Sequence, residues 1–308
     1  MSCKNSPVYL MFFCYGVLSF ATVFPKGQTD LWQWLVFLMA NFIVYSIYFS
    51  LGSKHGHLSK LPAMLLNFYL ILLIARQIYK MYFYMQTYHG QSSLPATAAI
   101  SAAVIITVLN LFDRENRRLA KIMFLFTALL LILAFFLNRE KADGLYVYNT
   151  VTYSSRPVYL SVFDFAVPML ISAECAGKEE KSENLVFAAV VFGFFAIVSV
   201  FAYCCVGGNI LYSLSPLQIL FQLSATSLIK NYDAIYNFFL FFAFFAALAA
   251  LVTSLKKVKE GFTHFGNNDL FAVIPRVFAV PYLPDVFWLT AEAVCVVLLV
   301  AGRKYEKN

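Results

Sequence analysis

Charge is what this 308-residue chain has least of: Asp, Glu, Lys and Arg make up 13% of it, where a soluble domain carries about 25%. That scarcity excludes a water-soluble fold of this length. Histidine is sparser still, at four residues. His55, His57, His89 and His264 are scattered, and only His264, four residues after Glu260, has a carboxylate at helical spacing, so no metal centre is expected. The six cysteines (Cys3, Cys14, Cys175, Cys204, Cys205 and Cys295) lie mostly inside apolar runs, where a thiol behaves as a small hydrophobe. They form no disulfide framework. No Gly-rich phosphate loop, nucleophile–base pair or carboxylate dyad is present, so the chain is expected to have neither enzymatic activity nor a cofactor. The formal charge of +7 comes without a basic stripe interleaved with aromatics, which argues against nucleic acid. The first apolar run also lacks the basic cluster and small-x-small exit of a cleaved signal peptide.

What the chain has instead is apolar length. Its residues are 61% hydrophobic and 18% aromatic, with 33 Phe, a composition suited to helix surfaces that face lipid. Ten apolar stretches are expected to cross a bilayer, each near the roughly 20 residues a span needs: 8–25, 31–51, 62–86, 94–112, 119–137, 158–176, 185–206, 233–255, 267–283 and 285–302. They make one polytopic membrane domain over 1–308, arranged as five and five: repeat one at 8–137 and repeat two at 158–302. The ninth is the weakest, interrupted by Pro275 and Pro281. Between the seventh and eighth, Leu211–Ile229 mixes apolar residues with Ser, Gln and Pro. It is expected to lie at the surface or dip back into the protein. With the N-terminus inside, the cytoplasmic segments hold Lys4, Lys54, Lys60, Arg114, Arg117, Arg118, Lys121, Lys178, Lys181, Lys256, Lys257, Lys259, Arg303, Lys304 and Lys307. That majority of the 23 Lys and Arg predicts an even number of crossings with both termini cytoplasmic.

Each half opens on an interrupted segment, the pattern that marks a secondary-transporter binding site. Tyr15, Gly16 and Ser19 mark the first break, and Phe163, Asp164, Phe165 and Pro168 the second. Freed N–H groups there attract a carboxylate and freed carbonyls an ammonium; an amino acid offers both. Gly16 as a mere packing residue and Pro168 as a mere kink stand beside that reading. Arg76, Asp164, Arg276 and Glu292 are charges inside spans and each needs a partner or a water-filled cavity. Arg76 and Asp164 fall at comparable depth, which predicts an ion pair, a gate, or a ligand clasp in which Arg76 takes a carboxylate and Asp164 an amine. Arg276 and Glu292 are expected to pair between the last two spans.

Several ordered motifs resemble the spore germination permeases, the membrane-embedded B subunits of endospore nutrient-germinant receptors. They are Pro25-Lys26-Gly27-Gln28-Thr29-Asp30-Leu31-Trp32, Ser93-Leu94-Pro95-Ala96-Thr97-Ala98, Val206-Gly207-Gly208-Asn209 with Ser215-Pro216, and Asp233-Ala234-Ile235-Tyr236. Ala98 stands where the family has a second Pro. The resemblance implies an all-α LeuT-like 5+5 inverted repeat with discontinuous helices 1 and 6. It also implies a nutrient site between helices 1, 3, 6 and 8 lined by Tyr69, Tyr236 and Asn237, and a location in the spore inner membrane. Germinant-receptor A and C subunits are the implied partners. Thr253 and Ser254 are similar to the paired hydroxyls that hold sodium in LeuT-like transporters, and Lys121 opens a span where some proton-coupled relatives use a Lys. The alternative is a stand-alone ion-coupled amino-acid permease; a subunit that has lost its ligand is a third reading.

Overall fold

The computed structural model describes residues 6–22, 31–52, 57–89, 93–110, 113–145, 163–176, 181–206, 215–224, 232–260, 276–277 and 279–304. Ten α-helices are defined among them: α1 Ser6–Ala21, α2 Leu31–Gly52, α3 Lys60–His89, α4 Leu94–Asn110, α5 Asp113–Asn138, α6 Ala166–Ala176, α7 Lys181–Val206, α8 Pro216–Leu223, α9 Tyr232–Glu260 and α10 Asp285–Ala301. The sole sheet among the described residues is a two-residue antiparallel pairing of β1 (His57–Leu58) with β2 (Arg303–Lys304). That pairing puts the α2–α3 connection and the end of α10 at one end of the bundle.

Five helices are long and apolar enough to cross a membrane, over Leu31–Leu51, Lys60–Gln86, Arg118–Lys141, Ser182–Cys205 and Ile235–Val258. Their outward faces argue the same way. On α2 the exposed residues Trp32, Val36, Met39, Ile43, Ile47 and Leu51 recur every three or four positions, one continuous apolar stripe. On α5 the stripe is Ile122, Leu125, Leu129, Ile132 and Phe136. In water such surfaces cost about 25 cal/mol per Å²; against acyl chains the cost vanishes. Apolar inside and out, these helices suit a bilayer.

The bundle is organised around α9, which packs against α1, α3, α4, α5, α6 and α8. Its contact stretch Ala246–Val252 is rich in alanine and entirely buried, so small side chains let neighbouring backbones approach. α2 packs along α7 and α10 lies against α2 and α3. Polar ties fix particular pairs. The Trp34 indole N–H donates to Ser199 Oγ at 2.6 Å, linking α2 to α7, and Asn138 Nδ2 donates to the Leu220 carbonyl at 2.7 Å, linking α5 to α8. Of the segment expected at the surface or dipping inward, the described part, 215–224, packs into the protein. Ser215 caps α8 by accepting from the Gln218 N–H, Pro216 opens it, and Pro216–Phe221 are all buried.

Two expectations need correction. α1 runs unbroken through Tyr15, Gly16 and Ser19, so there is no break at Gly16. A single glycine lowers helix stability by about 1 kcal/mol without opening it, and here it serves packing. A Cβ on Gly16 would lie 3.2 Å from Val191 Cγ1 and 3.5 Å from Phe195 Cζ. At the second interruption Phe163, Asp164 and Phe165 lie outside any helix, as expected, and only Pro168 needs correction. Phe163–Phe165 are non-helical and α6 starts at Ala166, with Pro168 in the first turn, where a missing N–H costs nothing; Pro168 therefore starts a helix and kinks none. Residues 158–162 of the sixth expected span, 267–275 of the ninth, and the motif residues Pro25–Asp30 and Gly207–Asn209 lie outside the described residues.

Because α1 is continuous and tightly packed, Gly16→Ala is expected to change stability by no more than about 1 kcal/mol, helix propensity offsetting the close contact. Gly16→Leu should cost about 1–3 kcal/mol by overpacking. Thermal unfolding of the detergent-solubilised protein measures both.

Candidate functional site

Three residues before α6, the chain makes a small turn in which the Phe165 N–H donates to the Phe163 carbonyl. The two flanking rings go one way and the carboxylate another. Phe165 stacks on Tyr45 of α2 at 4.8 Å between centroids, and Phe163 packs on Phe195 of α7 at 5.5 Å. Asp164, completely buried, turns toward α3. There it accepts hydrogen bonds from Arg76, from Lys80 Nζ at 3.0 Å and from Gln77 Nε2 at 3.4 Å. The same Gln77 amide donates to the Tyr15 hydroxyl of α1 at 3.1 Å. The Arg76 guanidinium also lies over the Trp288 ring of α10, 4.3 Å from its centroid, a cation–π contact that is strongest where both groups are desolvated.

The sequence on α3 explains the convergence. Positions 76, 77 and 80 fall on one side of a helix with 3.6 residues per turn, so one face presents two cations and an amide to a single carboxylate. A buried carboxylate alone costs several kcal/mol, and Asp164 escapes that cost only because charge-assisted donors surround it. Arg76 is equally dependent, with 7% of its side chain exposed; Lys80, at 18%, reaches the edge of the site. The pairing of Arg76 with Asp164 inferred from depth is present, with Lys80 added.

Of the other expected site residues, Tyr15, Phe163 and Phe165 belong to this centre, and Tyr69 is buried on α3 two turns before Arg76. Ser19 is buried on α1, its hydroxyl without a hydrogen-bond partner. The Pro168 carbonyl accepts from Ser254 Oγ at 2.9 Å, and Ser254 is 2.7 Å from Ser172 Oγ, so this part of α6 is bound to α9. Thr253, expected to act with Ser254, has its Oγ1 buried without a partner. Tyr236 sits apart. Its ring packs on Phe221 of α8, Phe239 and Tyr84; Tyr84 lies two turns, about 10 Å, beyond Gln77 along α3. Asn237 next to it is half-buried. Helix 8 of the expected site thus contributes an aromatic cluster, and its place at the charged centre is taken by α10.

The residues not expected at the site were Gln77, Lys80, Tyr45 and Trp288, together with Glu292, which was expected only as a partner of Arg276. Glu292 had been expected to pair with Arg276, but neither of its oxygens receives a hydrogen bond. Arg276 lies over the Phe68 ring of α3 at 5.0 Å. A lone acid within Phe287–Leu299 was a visible signal, but the direction in which it points was not. A separate groove of about 630 Å³, lined by Tyr9, Phe13, Phe124, Leu131, Phe135 and Phe194 among others, opens between α1, α5 and α7. Being almost wholly apolar, it has the character of a surface for acyl chains and offers a polar ligand little. Among the described residues no group of three or more His, Cys, Asp or Glu is placed to hold a metal ion.

Scans of protein-family models and of curated proteins give no match to this chain.

The burial difference between the two cations sets a prediction. Arg76→Met should destabilise by about 3–5 kcal/mol, because it strips a buried carboxylate of its closest charge. Lys80→Met should cost about 1 kcal/mol, since its partially hydrated ammonium contributes less. Chemical or thermal unfolding in lipid nanodiscs ranks the two.

Proposed function

We propose that the protein is the membrane-embedded, nutrient-binding subunit of a spore germinant receptor. In this reading it has a LeuT-like 5+5 arrangement of ten spans and both termini in the cytoplasm. It acts in the spore inner membrane with A and C partner subunits. Ligand binding stabilises one arrangement of the bundle, and that preference is passed to the partners. The reading draws on the ordered motifs that resemble the germination permeases. The single observation that carries its binding half is the charged centre itself: Arg76, Lys80, Gln77 and Asp164 converge in an apolar bundle. Intramembrane charge of this density is costly and is characteristic of a functional site. Its position before a helix that starts in mid-chain matches where transporter-like folds hold their ligands.

A stand-alone ion-coupled amino-acid permease is the second reading. The Arg76–Asp164 pair favours it specifically, since such a pair between α3 and the start of α6 can open and close as a gate.

Purified protein screened against amino acids, sugars and nucleosides should respond to an amino acid. At a hundredfold excess over Kd, its unfolding midpoint should rise by about 5 °C. A receptor subunit should co-purify with its co-expressed A partner and accumulate no labelled amino acid in proteoliposomes. Ion-driven accumulation would establish the permease instead, and silence across the whole panel would end both readings.

A further inference from the structure

Glu292 is used by nothing described so far. It sits on α10, 1% exposed, and neither carboxylate oxygen has a hydrogen-bond partner in the protein. The groups around it come from four other elements. Tyr45 of α2 faces it without reaching hydrogen-bond geometry, and Tyr69 and Arg76 of α3 and Asp164 before α6 lie within electrostatic reach. Tyr15 of α1 is in the same field, and Cys295 follows one turn along α10. The hydroxyls of Tyr45 and Tyr69 are themselves buried with no partner, and so is Gln77 Oε1, although the Gln77 amide nitrogen is engaged. Buried polar atoms on α2, α3 and α10 are thus left without hydrogen bonds, a condition that natural structures rarely leave unanswered.

The charges are also sorted. At one end Arg76 and Lys80 share a single carboxylate, Asp164, leaving one positive charge over. At the other end Glu292, with the Tyr45 and Tyr69 hydroxyls in its field, can supply one negative charge once a cation arrives to pair with it. Asp164 already receives Arg76, Lys80 and Gln77, so it is poorly placed to take a ligand's amine as well. Glu292 is placed to do so: an ammonium brings three donors and no acceptor, the complement of a carboxylate flanked by tyrosine hydroxyls.

We infer that Glu292, with Tyr45 and Tyr69, holds the ammonium of a zwitterionic ligand, a free amino acid, whose carboxylate points toward Arg76 and Lys80. Asp164 is the post that positions the two cations. The inference rests on the nutrient-binding reading above and names the chemistry of its ligand.

The test compares each of the twenty standard amino acids with its own deaminated acid and decarboxylated amine. Binding to the full chain in nanodiscs is read by tryptophan fluorescence, with Trp288 beside Arg76 as reporter. The wild type should bind at least one amino acid tenfold or more tighter than either truncated analogue. Glu292→Gln should lose that preference over the deaminated acid while binding the acid as before; Asp164→Asn should keep the preference even if both affinities fall. Because the readout is a ratio within one variant, a smaller folded fraction does not alter it. Full preference in Glu292→Gln, or its loss in Asp164→Asn alone, overturns the assignment. A wild type that binds only sugars or nucleosides overturns it while leaving nutrient binding intact, and one that binds nothing overturns both.

Discussion

A carboxylate cannot stay charged in an apolar bundle without nearby positive charge, and Asp164 is where this protein meets that constraint. The residue is fully buried just ahead of α6, and its donors all come from one face of α3. Docking the start of α6 onto α3 is therefore an electrostatic requirement as much as a packing preference. Other placements follow from it. Phe163 and Phe165 are carried into the α2–α7 aromatic core, Tyr15 is drawn to Gln77 from α1, and Trp288 of α10 closes over Arg76. A short polar cluster thus gathers six elements that apolar packing alone would hold in many nearly equivalent rotations.

That matters because lipid removes the usual source of helix–helix specificity. When outward faces are as apolar as inward ones, as on α2 and α5, the hydrophobic effect no longer says which face turns in. Specificity then passes to small residues, hydrogen bonds and buried charge. The alanine-rich stretch of α9, the Trp34–Ser199 and Asn138–Leu220 bonds, and the Asp164 centre supply these in turn. The same centre is the richest in charge among the buried residues, so the features that fix the fold and those that suit a ligand coincide.

How much of this was legible in the sequence follows from the same physics. Helix positions were readable because long apolar runs need no knowledge of their neighbours: the expected 31–51, 94–112 and 285–302 correspond to the helices Leu31–Gly52, Leu94–Asn110 and Asp285–Ala301. The Arg76–Asp164 pair was readable from depth, since each residue's distance along its helix fixes its height in the bundle. Helix rotation was not readable. It decides that Glu292 is buried without a hydrogen-bond partner while Arg276 rests on Phe68, and that α10 takes the place expected of the eighth span at the charged centre. Gly16 misled for a related reason. Glycine marks either a break or a close contact, and only the facing residues, Val191 and Phe195, distinguish them.

The central claim is that the Arg76–Asp164 pair holds the bundle together at its site. A double-mutant cycle with Arg76→Gln, Asp164→Asn and the combined variant, measured by unfolding in nanodiscs, tests it most directly. A coupling of about 2–3 kcal/mol, with the double variant nearly as stable as either single one, is the predicted result. Two single losses that simply add would contradict the account.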